Sequence, residues 1–473
     1  MTRTALLDVV GLTPRLIGEH TPNLRAFRDG GHLWKIDPAF PAVTCTAQSN
    51  YLTGLPPAKH GIVGNGWYHR ELAEVQFWKQ SDHLVTGEKL WEHARRECPG
   101  FTCAKVFWWY NMYSTADYSI TPRPLYPADG RKVFDVHTWP YSIRPEIKKA
   151  LGEFPFPGFW GPGAGRATPQ GGRDCATRWI AESAKWMETR YRPTLSLVYL
   201  PHLDYNLQRH GVGSGGGGIR REIVADLREI DAIVGDLLRF YESAGVRVAM
   251  VSEYGLVDVD TAVHLNRRFR ERGWLVVKDE LGWETLDAGA SRAFVVADHQ
   301  VAHIYINDPS VASEVRDVVE RTPGVAEVLD AKAQEARGLD HRRSGDLIAV
   351  AEERAWFTYY YWLDDAKAPD FARCVDIHRK PGYDPVELFT DPRFSEFGLK
   401  ARIAWRLLKK RMGFRMLMDL IPLDAGLVRG SHGGRPRDPG DWPVLLAPKS
   451  LALPASPTST DVGVALRKWV VER

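Results

Sequence analysis

The sequence FPAVTCTAQSNYLTGLPPAKHGIVGN, residues 40–65, carries two threonines, Thr44 and Thr46, where an apolar extended stretch meets a short helical pattern. A threonine at the start of a helix most often caps that helix. The free N–H groups at the same end also attract an anion, and a hydroxyl there can attack phosphorus if a metal ion lowers its pKa. The segment therefore predicts either a helix cap or a nucleophile, and metal ligands elsewhere in the chain decide between the two.

Candidate metal ligands lie in or after several apolar runs. They are Asp8 in TALLDVVGL, then Asp204 and His210 in PHLDYNLQRHG, then Glu253 and Tyr254 in VSEYG, and finally His432 in GSHGG. Taken singly, an aspartate at a strand end is more often a turn residue, and a single histidine is more often a structural group. Together they offer oxygen and nitrogen ligands for two divalent cations around one hydroxyl. Two such cations can clamp the attacking and leaving oxygens of a displacement at phosphorus.

The elements that would position these residues alternate along the chain. The strand patterns TALLDVVGL, FTCAKVFWWY, PTLSLVYLPHLD and VRVAMVSEYG are separated by helical patterns, among them a long amphipathic stretch over residues 219–245. This alternation predicts an α/β fold with a doubly wound, mostly parallel sheet. Ligands in such sheets bind beyond the carboxyl ends of the strands, and Asp8, Thr44, Asp204 and Glu253 all fall at predicted strand ends.

The length of 473 residues suggests one large α/β domain with an insertion, or two domains. We expect residues 1–264 and 426–473 to form the core, because the strand-and-helix alternation holds there. Residues 265–425 have a different pattern and are predicted to form a smaller α+β insertion.

Charge and cysteine content limit the function classes. A net charge of +3 gives no argument for a nucleic acid partner. The five cysteines are odd in number and form no CxxC pair, so we interpret them as reduced thiols in a cytoplasmic protein. The N-terminus enters a strand pattern without a signal-peptide core, and no apolar run approaches the length of a membrane span.

A basic stretch, LKARIAWRLLKKRMGFRMLMDLIP, follows the insertion pattern at residues 399–422. A basic amphipathic helix can bind an anionic surface. A solvated helix that packs its Leu and Met side inward explains the pattern equally well. The sequence leaves both interpretations open.

The residues 40–65 resemble the nucleophile segment of the alkaline phosphatase superfamily, above all its nucleotide pyrophosphatase/phosphodiesterase branch. The shared features are the leading Phe-Pro, the threonine, Thr-Gly-Leu, a proline, and His-Gly-Ile-Val-Gly-Asn. The resemblance covers residues 4–65 closely and extends with fewer matches to 199–211, 246–255 and 430–447. It implies an alkaline phosphatase-like core, with Thr44 rather than Thr46 as the nucleophile and Asn65 as a phosphate-binding group.

The same resemblance implies two divalent metal ions, zinc in the first instance, and a small phosphorylated substrate. One ion would be held by Asp8, Thr44, Glu253 and Tyr254, and the other by Asp204, His210 and His432. The implied reaction hydrolyses a phosphodiester or pyrophosphate bond in two in-line steps through a phosphothreonine. Alternatives on the same scaffold are a phosphomonoesterase, a phosphonate hydrolase, or an inactive binding protein, and the oligomeric state is not predicted.

Three departures from the branch bear on the metals. Glu253-Tyr254 replaces an Asp-His pair, and because a phenol is a poor zinc ligand, the all-oxygen site makes Mn²⁺ or Mg²⁺ more plausible there. The branch has three residues between its Asp and His ligands, whereas five separate Asp204 from His210. His202 is therefore an alternative ligand. Ala47-Gln48 stands where the branch often has Asn-His.

Two further clusters contain histidines. The stretch VADHQVAHIYIN contains Asp298, His299 and His303, and we interpret its histidines as structural. The stretch VDIHRKPGYDP contains His378 and Lys380, which we predict to bind substrate because a basic group there could meet an anion. His378 is also an alternative to His432 as the last metal ligand.

Overall fold

The computed structural model describes residues 2–128, 132–165, 175–213, 218–414 and 417–472. The strands are β1 (Thr4–Val9), β2 (His32–Lys35), β3 (Gly66–His69), β4 (Glu74–Phe77), β5 (Cys103–Val106), β6 (Tyr118–Pro122), β7 (Val136–Trp139), β8 (Leu195–Leu200), β9 (Arg247–Val251), β10 (Val257–Asp258), β11 (Thr261–Val263), β12 (Val276–Glu280), β13 (Trp283–Asp287), β14 (Ala293–Asp298), β15 (Val301–Ile306), β16 (Val325–Leu329), β17 (Leu347–Ala351), β18 (Ala355–Phe357), β19 (Gly430–Ser431) and β20 (Val444–Ala447).

The α-helices are α1 (Pro22–Gly30), α2 (Thr44–Thr53), α3 (Pro57–His60), α4 (Leu90–Glu97), α5 (Ile143–Leu151), α6 (Ala176–Tyr191), α7 (His202–His210), α8 (Val224–Ser243), α9 (Leu265–Glu271), α10 (Ala312–Glu320), α11 (Ala331–Ala336), α12 (Glu396–Arg411) and α13 (Ser459–Trp469). Within the described ranges, no helix is long and apolar enough to cross a membrane.

The central sheet has eight strands in the order β2-β20-β9-β1-β8-β5-β6-β7. Its five middle strands, from β9 to β6, are parallel, and antiparallel strands lie at both edges. Strands β1 and β8 are buried along their whole length, which explains why most of their residues are apolar. The predicted doubly wound, mostly parallel sheet is confirmed.

The helices around this sheet form two sets of mutual contacts. Helix α8 contacts α1, α6 and α7, while α13 contacts α2 and α4. Two separate sets are expected when crossover helices cover both faces of a parallel sheet. The long amphipathic pattern over residues 219–245 corresponds to α8, which buries Leu227, Ile230, Val234 and Leu237.

A second, four-stranded antiparallel sheet is ordered β14-β15-β17-β16. Most of its buried apolar residues belong to a hydrophobic cluster drawn from residues 257–428 together with Tyr68 and Phe77. The cluster around the central sheet draws on residues 5–256 and 444–470. The chain therefore returns to the central sheet through β20, while the exact boundaries at 264 and 425 stay predictions.

Candidate active site

Strand order brings the candidate ligands together. Strand β1 lies between β8 and β9, and its Asp8 is opposite Tyr199 on one side and Val251 on the other. Glu253 follows the last residue of β9 by two positions, and Asp204 lies in the first turn of α7, just after β8. Because the three strands are parallel, their carboxyl ends meet at one edge, so three carboxylates converge from distant parts of the chain.

Thr44 is the first residue of α2, and the residue that precedes it, Val43, occupies the N-cap position. The Thr44 side chain is therefore not the helix cap. It is almost fully buried at the base of a large cavity, and its Oγ lies 3.4 Å from Tyr254 Oη. Thr46 points elsewhere, since its Oγ donates to the carbonyl oxygen of Ile62 at 3.2 Å.

Asp8 and Glu253 are a fully buried pair of carboxyls beneath Thr44. The side-chain amide of Gln48 donates to both of them, at 3.2 Å to Asp8 Oδ2 and 2.6 Å to Glu253 Oε1. Gln48 is held in this orientation because its Oε1 accepts a hydrogen bond from the backbone N–H of Trp109 at 2.8 Å. The remaining oxygens, Asp8 Oδ1 and Glu253 Oε2, are buried with no hydrogen-bond partner among the described residues.

Burial dominates the titration of this pair. It raises the pKa of the Glu253 carboxyl to about 7, although the neighbouring Asp8, Thr44 and Gln48 side chains act in the opposite direction. Burial also raises the pKa of Asp8 well above its ordinary value, and the charge of Glu253 raises it further. Without a cation, the two carboxyls therefore hold a proton near neutral pH.

These features fit one hard divalent cation. Two buried carboxylates with unpartnered oxygens, next to the Thr44 hydroxyl, form an all-oxygen donor set of the kind that Mg²⁺ and Mn²⁺ prefer. A cation would replace the proton that the pair otherwise shares. Within the described ranges, no group of three or more His, Cys, Asp and Glu side chains is arranged to hold a metal ion.

The predicted second metal position does not fit a zinc ion. Asp204 Oδ1 accepts from Tyr254 Oη at 3.2 Å, and Asp204 Oδ2 accepts from Gln208 Nε2 at 2.7 Å. Tyr383 Oη in turn donates to Gln208 Oε1 at 2.9 Å. Asp204 is thus part of a hydrogen-bonded chain, and burial raises its pKa to about 7 against the hydrogen bonds from Gln208 and Tyr254.

His432 is an imidazole near Asp204, with 3.9 Å between Nε2 and Oδ1. Its Nδ1 lies 2.7 Å from the carbonyl oxygen of Ala42 and must donate to it, because a carbonyl oxygen only accepts. Nε2 therefore carries a lone pair, and it has no hydrogen-bond partner in the described part of the chain. The ring stacks on Tyr254 with 3.5 Å between centroids.

His210 and His202 are not brought to this group. His210 is the last residue of α7, six positions after Asp204, so the two side chains leave the helix in different directions. His202 forms an ion pair with Asp226 at 3.2 Å and contacts Cys175 Sγ. The position one turn after Asp204 belongs to Gln208, a residue that sequence reasoning missed although its i, i+4 spacing was the available signal.

Asn65 lines the cavity, and it is fixed by Asp298. Asn65 Nδ2 donates to Asp298 Oδ1 at 3.1 Å, and its backbone N–H donates to Asp298 Oδ2 at 2.8 Å. Its Oδ1 accepts from the backbone N–H of Cys45 at 3.0 Å, which ties it to the start of α2. Asp298, in the stretch whose histidines we interpreted as structural, therefore positions a cavity residue.

His299 also differs from the sequence-based interpretation, because it lines the cavity. Its ring stacks between Tyr383 and His432, with centroid separations of 3.6 and 3.7 Å, and its Nδ1 lies 2.8 Å from Asp298 Oδ1. Burial lowers the pKa of this imidazole well below its ordinary value, so it is neutral at pH 7. His303 is structural as expected, since it bonds the backbone of Val63.

The structure places the two predicted substrate-binding residues in different environments. His378 lines the cavity. Lys380 is almost fully buried, and its Nζ lies 2.7 Å from carboxylate oxygens of both Asp384 and Glu387. The structure gives no support to the prediction that Lys380 binds substrate, because a buried lysine with two carboxylate partners is already neutralised.

The cavity that opens from Thr44 has a volume of about 760 Å³ and predominantly apolar walls. Its aromatic lining includes Trp78, Trp109, Phe156, Phe159, Trp160, Tyr205 and Tyr383. Lys79, Arg123, Lys132 and Arg379 add positive charge toward its mouth. The space is much larger than a phosphate group requires, so the site can hold a bulky substituent beyond the phosphorus.

Comparison with known proteins gives a family. The sequence model of the family described as Type I phosphodiesterase / nucleotide pyrophosphatase matches residues 4–384. No curated protein matches the chain.

Three solved structures share the fold. Murine ectonucleotide pyrophosphatase / phosphodiesterase 5, as an inactive threonine-to-alanine variant in complex with AMP, is 13% identical with a TM-score of 0.57, over 99% of this chain and 95% of that one. The human protein of the same name gives 13% identity and a TM-score of 0.56, over 99% and 94%. Phosphonoacetate hydrolase from Sinorhizobium meliloti 1021, in complex with phosphonoacetate, gives 14% and 0.58, over 98% and 95%.

Proposed function

The chain belongs to the type I phosphodiesterase/nucleotide pyrophosphatase family and is a phosphoric ester hydrolase, and from that premise we propose that it cleaves phosphodiester or pyrophosphate bonds with Thr44 as nucleophile. The observation that carries the proposal is the Thr44 hydroxyl in the cavity lining, at the first residue of α2 and 3.4 Å from Tyr254 Oη. The murine relative that is inactive with alanine in place of a threonine supports the same role.

The phosphoryl group would bind at the N-terminus of α2, where free N–H groups favour an anion. Asn65 Nδ2 lies beside this point and would donate to a non-bridging oxygen, which stabilises charge in the transition state. Thr44 Oγ attacks phosphorus, the bond to the leaving oxygen breaks, and a phosphothreonine forms. Water then attacks that phosphorus and restores the threonine.

The proton of Thr44 has a path through the hydrogen-bonded chain. Thr44 Oγ lies 3.4 Å from Tyr254 Oη, and Tyr254 Oη donates to Asp204 Oδ1 at 3.2 Å. Asp204 can accept a proton near neutral pH because burial raises its pKa to about 7. In the second step, the lone pair on His432 Nε2 can orient the attacking water.

Asp8, Glu253 and Thr44 would hold one divalent cation, Mg²⁺ or Mn²⁺ rather than zinc. When bound, such a cation stabilises negative charge on the threonine oxygen and the phosphoryl group. The chain's own residues supply the rest, since Gln48 fixes both carboxylates and Tyr254 connects the hydroxyl to Asp204. The Asp204 position has too few free ligands for a second ion among the residues that the structure describes.

The cavity supports a diester or pyrophosphate rather than a small monoester or phosphonate. A volume of about 760 Å³ lined by tryptophan and tyrosine rings fits a bulky aromatic or apolar group on the second side of the phosphorus. A monoester would leave most of this space filled only by water. Phosphonate hydrolysis is the second candidate, because the fold of phosphonoacetate hydrolase is similar.

The experiment is hydrolysis of bis-p-nitrophenyl phosphate and p-nitrophenyl phosphate with Mg²⁺, Mn²⁺ or Zn²⁺ added in turn. We expect faster cleavage of the diester, stimulated most by Mg²⁺ or Mn²⁺. Thr44→Ala should abolish turnover, and Thr46→Ala, the matched control in the same helix, should retain it. Preference for the monoester, or activity in Thr44→Ala, would contradict the proposal.

We also propose a cytoplasmic location. All five cysteines are free thiols, namely Cys45, Cys98, Cys103, Cys175 and Cys374, which suits a reducing compartment. Fractionation of cells that produce the tagged chain tests this, and recovery in a secreted or periplasmic fraction would contradict it.

A further inference from the structure

Helix α12 presents an apolar stripe to solvent. Phe397, Ala401, Trp405, Leu408 and Met412 follow one another at spacings of four, four, three and four residues, which places them on one face of a helix. The exposed fractions are 82% for Phe397, 53% for Trp405, 47% for Leu408 and 52% for Met412. Ala401 is exposed as well. An ordinary surface helix has polar residues on this face, so the stripe calls for a partner.

The opposite face of α12 is the one that packs against the protein. Leu399 and Ile403 are half-buried there. On the same side, Arg402 and Arg406 both reach Asp419, at 2.5 and 2.9 Å. The helix is therefore already anchored through its inner face, and the apolar stripe is not needed to hold it.

All charged side chains in residues 397–414 are basic. Residues 397–414 contain no acidic residue, and their basic residues are Lys400, Arg402, Arg406, Lys409, Lys410 and Arg411. Lys409 lies beside the stripe, with its Nζ 5.3 Å from the centre of the Trp405 ring. Arg411 is exposed one turn beyond Leu408. Apolar side chains with Trp and Phe, bordered by cations, form a surface of the type that rests on lipid headgroups.

We propose that the outer face of α12 docks on the surface of a membrane rich in anionic lipids. The helix would lie in the headgroup layer with its axis along the surface, over a length of about 24 Å. Its apolar side chains would enter the lipid boundary, and the adjoining basic residues would meet lipid phosphates. The docking is peripheral and independent of the hydrolytic site.

A second copy of the chain is a poorer occupant of this face. Two-fold contacts bring the same patch of each subunit together, so the basic residues beside one stripe would face those beside the other. An anionic surface has the complementary charge and accepts the apolar side chains as well. The charge of the segment therefore favours lipid over self-association.

The test is co-sedimentation of the full chain with vesicles of phosphatidylcholine alone and with vesicles that contain one third phosphatidylglycerol. We expect at least tenfold tighter binding to the anionic vesicles, and weaker binding at high salt. The triple variant Phe397→Ser/Trp405→Ser/Leu408→Ser should lose that binding. The matched control, Leu72→Ser/Leu363→Ser, removes two exposed leucines elsewhere and should bind as the parent does.

Circular dichroism and thermal melting confirm that each variant is folded, and hydrolysis of a soluble diester should be unchanged in all of them. Equal binding to neutral and anionic vesicles, or binding that survives the triple substitution, would overturn the proposal. Light scattering measures the oligomeric state and so tests the competing occupant, a second copy of the chain. A dimer of the parent chain that the triple variant abolishes would assign the stripe to a second copy instead.

Discussion

The side-chain amide of Gln208 donates a hydrogen bond to Asp204, one turn earlier on the same helix, with 2.7 Å between Nε2 and Oδ2. The family resemblance in the sequence implies a histidine ligand with this spacing from the aspartate. Glutamine keeps the contact with the carboxylate but offers zinc no good nitrogen ligand. Together with Tyr254, it makes the predicted second metal position part of a hydrogen-bonded chain that ends at Thr44.

Restoring a histidine should restore zinc binding. We expect Gln208→His to retain zinc after dialysis, because Asp204, His432 and the new imidazole would surround one position. Elemental analysis of the folded protein measures this. Asn206→His, on the same helix but bonded to Asp226 rather than Asp204, is the control and should not gain zinc. Equal zinc content in the parent and Gln208→His would argue against this description of the site.

The buried carboxyls should make stability fall as pH rises when no cation is present. Burial raises the pKa of Glu253 and Asp204 to about 7 and that of Asp8 well above its ordinary value. Between pH 4 and 7 the unfolded chain releases these protons while the folded chain keeps them, so the free energy of unfolding decreases.

Urea unfolding at pH 4.5 and 7.5, with chelator or with Mg²⁺, measures this slope. We expect the midpoint to drop toward pH 7.5 with chelator and to recover with Mg²⁺, because a cation replaces the shared proton. The Asp8→Asn/Glu253→Gln variant should show a smaller drop and no recovery. A midpoint that Mg²⁺ leaves unchanged at pH 7.5 would contradict a cation at Asp8 and Glu253.

Tyr254 should matter for the chemical step rather than for binding. Tyr254→Phe removes the hydroxyl between Thr44 and Asp204, so we expect kcat to fall by about 100-fold, the usual size of a proton-transfer contribution. In the parent, kcat/KM should decline as the pH falls below about 7, where Asp204 becomes protonated. The steady-state rate of p-nitrophenol release at several substrate concentrations gives kcat and kcat/KM. An unchanged kcat in Tyr254→Phe would remove this residue from the proton path.

Trp78 should contribute to recognition of the group beyond the phosphorus. Its ring packs against that of Trp109, with 4.9 Å between centroids, and both line the cavity. We expect Trp78→Ala to raise KM for bis-p-nitrophenyl phosphate about tenfold, or about 1.4 kcal/mol. KM for methyl p-nitrophenyl phosphate should change little. Trp283→Ala, outside the cavity, is the control, and equal effects of Trp78→Ala on both substrates would contradict this role.

The sequence predicted the sheet and the start of a helix near Thr44 because both are encoded locally. The strands β1, β8 and β9 are mostly apolar, and their parallel arrangement brings Asp8, Asp204 and Glu253 to one edge. Residues that come directly after a strand could be placed for the same reason. Helix α2 begins at Thr44, where the pattern changes from extended to helical.

Side-chain directions after these strands were not predictable in the same way. Gln208 and His210 are two positions apart on α7, so their side chains point in different directions. Gln208, one helical turn after Asp204, is the one that contacts it. In the sequence, Lys380 has the character of an anion-binding group. In the fold, it forms ion pairs with Asp384 and Glu387. Asp298 supports Asn65 across 233 residues of sequence, and no local pattern reports such a contact.

The most direct test of Thr44 as the nucleophile is to trap the covalent intermediate. The protein is mixed with bis-p-nitrophenyl phosphate, quenched in acid within one turnover, digested, and analysed by mass spectrometry. We expect a phosphoryl group, with or without its p-nitrophenyl ester, on Thr44 within residues 40–65, and none in Thr44→Ala. Modification of Thr46 or of a histidine, or turnover with no modified peptide under conditions that show a burst, would contradict the assignment of Thr44.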